Sequence, residues 1–312
     1  MKAVGILLPV FVMIGLGLLS RLRHWISSEQ LEGLNAVVFN VLFPILIFNI
    51  LLTSSFKAEN FAMMAYVLAA FLIIMVLAKL FLKAAGPFAS LAPFLCVTDE
   101  GGSVGLPLYI SLVGASYAVN TVTFDVAGCL ITFALAPILA SGAFKKGGSF
   151  KSALKNIFTN SFLIAVILGL VLNFLGLYDW MQNVQISTIY DEVISMVTGP
   201  VSAMILFIIG YRLRYSPRYF KNLLGLMGLR MVFMVMIVGG LFLFFGNRMA
   251  DPIFLAGVLI YFACPPAFAM PQMIAPLFHS QDDEAFCSDF ISMNILITLV
   301  VYVLVELFIP LP

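Results

Sequence analysis

The sequence predicts an all-α polytopic membrane protein. Ten transmembrane helices are expected in two inverted five-helix repeats, with helices 4 and 9 broken and crossing at the bilayer midplane. Three observations lead there. First, 62% of the 312 residues are hydrophobic and only 10% are charged, against about 25% charged in ordinary globular domains. That excess of apolar residues does not fit inside one soluble core. Second, ten apolar segments follow one another, most of them close to the roughly 20 residues a spanning helix needs. Third, two of those segments are interrupted by Gly and Pro runs, at residues 96–108 and 264–271.

The segments fall at about 3–21, 31–53, 61–83, 87–113, 117–142, 154–177, 188–211, 219–245, 252–278 and 285–309. Residues 3–20 lack a small-residue cleavage pattern and read as a first spanning helix. Polar seams separate the segments, and none is long enough to hold a soluble domain. Cytoplasmic loops are enriched in Lys and Arg. With the N-terminus outside, the inner loops collect Arg21, Arg23, Lys79, Lys83, Lys145, Lys146, Lys151, Lys155, Arg212, Arg214, Arg218 and Lys221. The outer side keeps only Lys2, Lys57 and Arg248. This bias predicts both termini outside.

Five spans per half would make the halves enter the membrane from opposite sides. The expected division is residues 1–142 as the first repeat, 143–153 as a cytoplasmic linker and 154–312 as the second repeat. A scaffold domain and a crossover domain would each draw helices from both. A weak identity pattern at an offset of 164 residues fits this plan, pairing Pro107 with Pro271 and Asp125 with Asp289.

The interruptions carry the functional expectations. In the fourth segment, Asp99 and Glu100 precede Gly101, Gly102, Ser103, Gly105 and Pro107. In the ninth, Pro265, Pro266 and Pro271 fall within seven residues. Gly weakens a helix, and Pro removes a donor and clashes with the preceding turn. From 87 to 98 is 12 residues, about 18 Å of helix, which places the break near mid-membrane. Backbone that opens at that depth is tolerated only inside protein or beside a watery cavity. Paired breaks in two halves of a chain are the best sequence pointer to a transport site.

Half-helices starting near Gly105 and Ala267 would aim their positive ends at the centre and receive an anionic group. The substrate is therefore expected to meet Gly101, Gly102, Ser103, Gly105, Pro265, Pro266, Ala267 and Gln272. Two adjacent carboxylates at this depth call for a proton or a cation, so Asp99 and Glu100 are expected to bind H+ or Na+. Arg230, about 11 residues into the eighth span, is expected to snorkel to the cytoplasm, or else to balance an acid or the substrate. Asp125 and Asp289 read as interfacial carboxylates or as capping partners for the broken segments, with a role in gating or proton transfer as the alternative. Asn40 reads as an interhelical hydrogen-bonder supporting the site.

Cys96, Cys129, Cys264 and Cys287 lack metal-ligand spacing and read as small buried hydrophobes. No metal and no organic cofactor is expected. A net charge of +1 gives no footprint for nucleic acid. An intramembrane hydrolase pairing Asp99 with Asp125 lacks the Gly-x-Gly-Asp setting of its class, so no enzyme is expected.

Several motifs resemble the auxin efflux carrier family. Glu29-Gln30, Leu34-Asn35, Val38-Phe39, Pro44 and Phe48 are similar to its second span. Gly105-Leu106-Pro107-Leu108 resembles the close of its first crossover, and Pro265-Pro266-Ala267-Phe268 its second. Arg230 stands where many members carry a basic residue. The chain departs where the family reads Asn-Thr-Gly: here Glu100-Gly101-Gly102 puts an acid in place of an amide. Val235 stands near a position usually occupied by proline. The resemblance implies ten spans with the fold of the bile acid/sodium symporters. The short 144–149 loop is like that of bacterial members, which implies the bacterial cytoplasmic membrane. The implied activity is secondary transport of small organic anions, with uncoupled channel or sensor behaviour as the alternative. The lipid bilayer is the expected surrounding, and a homodimeric assembly is left open.

Overall fold

The computed structural model describes residues 2–55, 57–140, 160–213 and 219–311. The expected linker 143–153, with Lys145, Lys146 and Lys151, lies outside the described residues, as do Lys155, Arg214 and Arg218. Among the described residues every regular element is helical.

The chain begins with α1 (Lys2–Leu22). A capping box opens α2 (Ser28–Val37): the Ser27 hydroxyl accepts from Gln30 N–H, and the Gln30 side chain accepts from Ser27 N–H. A π-turn at Val38–Leu42 joins α2 to α3 (Phe43–Thr53). Next come α4 (Ala58–Leu77), a 3₁₀ run (Ala78–Phe88), and the four-residue α5 (Ala92–Leu95). After the first break, a π-turn (Gly101–Gly105) leads into α6 (Leu106–Val113). Then α7 (Val119–Leu130) runs through a third π-turn (Ile131–Leu135) into α8 (Ala136–Ala140).

The second half comprises α9 (Ser161–Phe174), α10 (Leu177–Asn183), α11 (Ser187–Thr198) and α12 (Val201–Arg212). It continues with α13 (Phe220–Phe244), α14 (Gly246–Met249), α15 (Pro252–Phe262), α16 (Met270–Met273) and α17 (Gln281–Phe308).

Seven stretches are long and apolar enough to cross a membrane: Gly5–Leu22, Ser28–Thr53, Ala58–Phe81, Val119–Ala140, Ser187–Arg212, Phe220–Phe244 and Gln281–Phe308. They coincide with seven of the ten apolar segments read from the sequence. An eighth is the pair α9–α10, bent by 55° at Gly176, whose φ is +69°. The remaining two segments hold only short apolar helices, Gly101–Val113 and Pro252–Phe262.

The half-helix expected from Gly105 is present as α6, but two other expectations need correction. The helix expected over 87–98 shrinks to α5, because Gly86 turns at φ +56° and Pro87 and Pro93 remove two donors. The half-helix expected from Ala267 shrinks to the four residues of α16 among Pro265, Pro266, Pro271 and Pro276. Its terminus offers little of the dipole expected there, since a macrodipole grows from aligned turns.

Two hydrophobic cores hold the bundle. One gathers α4, α5, α7 and α13, including Met63, Phe71, Phe124 and Ile237. The other gathers α1, α3, α9 and α12, including Ile14, Ile47, Leu163 and Ile209. Residues of α15 and α17 enter both. In the second core α1 and α12 pack almost backbone to backbone, because a Cβ on Gly210 would collide with the Ile14 carbonyl. Small residues allow such approach between membrane helices.

Candidate functional site

The two helix breaks meet. After α5 the backbone turns sharply, with Thr98 at φ +59°, a conformation costly for a β-branched residue. Glu100 N–H then donates to the Pro265 carbonyl at 2.7 Å, tying the first break to the second.

Arg230, from the middle of α13, holds this junction. Its side chain is fully buried. Nη1 donates to the carbonyls of Leu95 (3.0 Å) and Val97 (3.3 Å). Nη2 donates to Thr98 O (2.7 Å), Cys264 O (3.0 Å) and Asp99 Oδ1 (2.5 Å). One guanidinium thus satisfies carbonyls from both interrupted segments and neutralises Asp99. The snorkelling expected of Arg230 is overturned: five acceptors at mid-helix hold it more strongly than a reach to the interface would.

Glu100 lies on the other side of the junction. Its Oε2 accepts from Phe268 N–H at 2.5 Å and its Oε1 accepts from the Ser103 hydroxyl. Asp125, on α7, accepts the backbone N–H groups of Gly101 and Gly102. It is buried, and its bonds to the first break are those of the capping partner that the sequence suggested. The glycines permit the approach. A Cβ on Gly101 would press into the Tyr261 ring and stand 2.6 Å from Asp125 Oδ1. A Cβ on Gly102 would lie 3.0 Å from Asp125 Oδ2 and 2.5 Å from the Phe43 ring. The N–H groups that the sequence suggested for a substrate anion are therefore occupied by the protein's own carboxylates.

A cavity of about 450 Å³ runs from this acidic floor to the helix ends at Glu32, Asn160 and Arg212. Of the residues expected at the site, Asp99, Glu100, Gly102, Ser103, Ala267 and Gln272 line it, with Asn40 and Asp125. Gly101, Gly105, Pro265 and Pro266 lie behind this lining and shape the backbone. Asp289, on α17, is buried away from the cavity. Among the described residues, Arg212 is the one cation in the lining, and neither Glu100 nor Asp125 forms an ion pair. Among the described residues, three buried lining atoms have no hydrogen-bond partner: Asn35 Oδ1, Asp99 Oδ2 and Thr132 Oγ1.

Part of the wall has a common construction. The three π-turns each end two residues before a proline: Pro44, Pro107 and Pro137. Four residues before those prolines stand Asn40, Ser103 and Phe133, and all three line the cavity. A proline cannot return the N–H that its i−4 carbonyl would accept in an α-helix. Opening the backbone into a π-turn there presents polar main chain to the cavity, a recurrent use of π-bulges.

Sequence reasoning missed Glu32, Arg212, Asn35 and Thr132. Arg212 reads from the sequence as an inner-loop charge. The proline inside each apolar segment was the available signal for the π-turns.

All four cysteines carry free thiols, and Cys129 lies at the cavity. No grouping of three or more His, Cys, Asp or Glu suited to a metal occurs among the described residues.

Residues 3–143, which supply the first break, Asp125 and the three π-turns, match the family model described as membrane transport protein. The match ends ahead of Arg212, Arg230 and the second break. No curated protein matches the chain.

Proposed function

We propose that the chain is a secondary active transporter of small organic anions, carboxylates above all, coupled to H+ or Na+ by alternating access. On this reading ten spans form two inverted five-helix repeats, with both termini outside and the membrane a bacterial cytoplasmic one. Helices 4 and 9 cross at the junction of Glu100 with Pro265 and Phe268. The cavity reaches that junction from Glu32, Asn160 and Arg212, which the charge bias assigns to the inner face, so this state faces inward.

One observation carries the proposal: two interrupted helices bond to each other at the floor of a cavity lined by buried acids. Open backbone and buried charge at membrane depth are costly and persist where transport needs them. Asp99 is compensated by Arg230. Glu100 and Asp125 are not, so the coupling proton or cation is assigned to Glu100 with Asp125 beside it. Substrate would meet Ser103, Ala267 and Gln272 above this floor.

The test is flux of labelled carboxylates in proteoliposomes, with and without an imposed proton or sodium gradient. Wild-type flux is expected to follow one of the gradients, and Glu100→Gln to lose that dependence while the protein still elutes as a folded species. Flux indifferent to both gradients would leave a channel or sensor on the same scaffold. An unchanged coupling profile in Glu100→Gln would remove Glu100 from the coupling role.

A further inference from the structure

We propose that Arg212 is the anion-recognition residue of the cavity, holding the carboxylate of the substrate at its mouth in place of Glu32. This deepens the organic-anion reading and rests on it.

The argument begins with what the floor cannot do. The N–H groups of Gly101, Gly102 and Phe268 already donate to Asp125 and Glu100. An incoming carboxylate would find no free donor among them and would face two acids that lack a cationic partner among the described residues. Arg230 is fully buried and engaged by Asp99 and four carbonyls. Among the described residues, the one cation in the lining is Arg212. It faces Glu100 closely enough for their charges to interact.

Arg212 is equipped for the task. It closes α12, whose end is pinned to the turn after α1. Tyr211 donates its hydroxyl to Ile26 O at 3.1 Å, and Arg21 donates to Leu213 O. The base of the side chain is therefore fixed. The guanidinium is about one-third exposed and meets one described acid, Glu32, through a single Nη2–Oε1 contact at 3.2 Å. A guanidinium carries five N–H donors and matches a carboxylate in a two-bond fork. Glu32 is 66% exposed and uses one of them. Such exposed pairs are weak and easily exchanged. Glu32 therefore occupies the seat as a carboxylate that a substrate carboxylate can displace.

The test uses the full-length protein in proteoliposomes, with a panel of labelled mono- and dicarboxylates including benzoate and succinate, and compares half-saturation for the best panel member. Arg212→Gln is expected to raise half-saturation by about tenfold or more, the loss of a charge-assisted fork. Glu32→Gln, which removes the competing carboxylate, is expected to lower it by a few-fold. Arg212→Lys keeps the charge but not the fork and is expected to fall between wild type and Arg212→Gln; it serves if Arg212→Gln fails to fold. A merely structural ion pair predicts that Arg212→Gln and Glu32→Gln act alike, and that result would overturn the assignment. Unchanged half-saturation in both Arg212 variants would do the same. If wild type carries no carboxylate of the panel, the organic-anion reading fails and takes this assignment with it.

Discussion

Replacing Arg230 with methionine is the most direct probe of the junction. The side chain and Asp99 are both fully buried and 2.5 Å apart. Methionine keeps much of the volume and removes the charge. Asp99 is left as a buried carboxylate without a counter-ion, and the carbonyls of Leu95, Val97, Thr98 and Cys264 lose their shared donor. Breaking a buried pair from one side costs about 3–5 kcal/mol. The orphaned carbonyls push the expectation to the upper end of that range. Equilibrium unfolding in mixed micelles measures it. The double variant Asp99→Leu with Arg230→Met removes the stranded charge and is expected to recover more than half of the loss, because the members of a contacting pair are not additive. A loss below about 0.5 kcal/mol for Arg230→Met would place it among ordinary surface changes and refute the reasoning. A double variant no better than the single one would move the cost from the charge to the carbonyls.

Two further perturbations address the backbone of the breaks. Gly101→Ala is expected to destabilise by about 1–3 kcal/mol through overpacking against Tyr261 and Asp125, and to abolish flux; thermal melting with a transport assay checks both, and wild-type values would show that the Gly101–Asp125 approach can relax. The combined change Pro265→Ala and Pro266→Ala is expected to extend α15 across the junction and cut flux severely while leaving expression intact. Wild-type flux in that variant would mean that the second break is not needed for passage.

The sequence made the breaks legible because their causes are local. Gly101, Gly102, Pro265 and Pro266 act on their own backbone, and no neighbour is needed to foresee an interruption. The seven long helices were legible for a similar reason, since apolar length alone sets them. Asp125 was legible only as one of several capping or interfacial candidates, because position along a helix does not reveal which face meets a neighbour. Its burial depends on Gly101 and Gly102 of another segment approaching it closely. Arg230 misled in the same way: depth in a span permits either snorkelling or pairing, and the carbonyls that decide between them come from residues 95–98 and 264. Glu32 and Arg212 are 180 residues apart and become partners only once folding brings the end of α12 to α2. Taken alone, Arg212 reads as an inner-loop charge.

Filling the donors of the breaks with the protein's own acids has a consequence for coupling. Glu100 alone touches the second break in two ways, giving its N–H to Pro265 and taking the N–H of Phe268, while Ser103 holds its other oxygen within the first. The Pro265 bond uses main chain and is indifferent to charge. The Phe268 and Ser103 bonds use the carboxylate and are strongest when it is ionised. A proton or cation arriving at Glu100 therefore weakens the side-chain half of the tie and spares the backbone half. On the proposed reading this is how ion binding reaches the geometry of the crossing: the junction stays hinged at Glu100 and Pro265 while the segment from Phe268 toward Gln272 is released. Asp99, neutralised by Arg230 and held with four carbonyls, keeps the opposite side of the junction rigid. The two adjacent acids thus divide the work, Asp99 as part of a fixed pivot and Glu100 as the charge-sensitive contact.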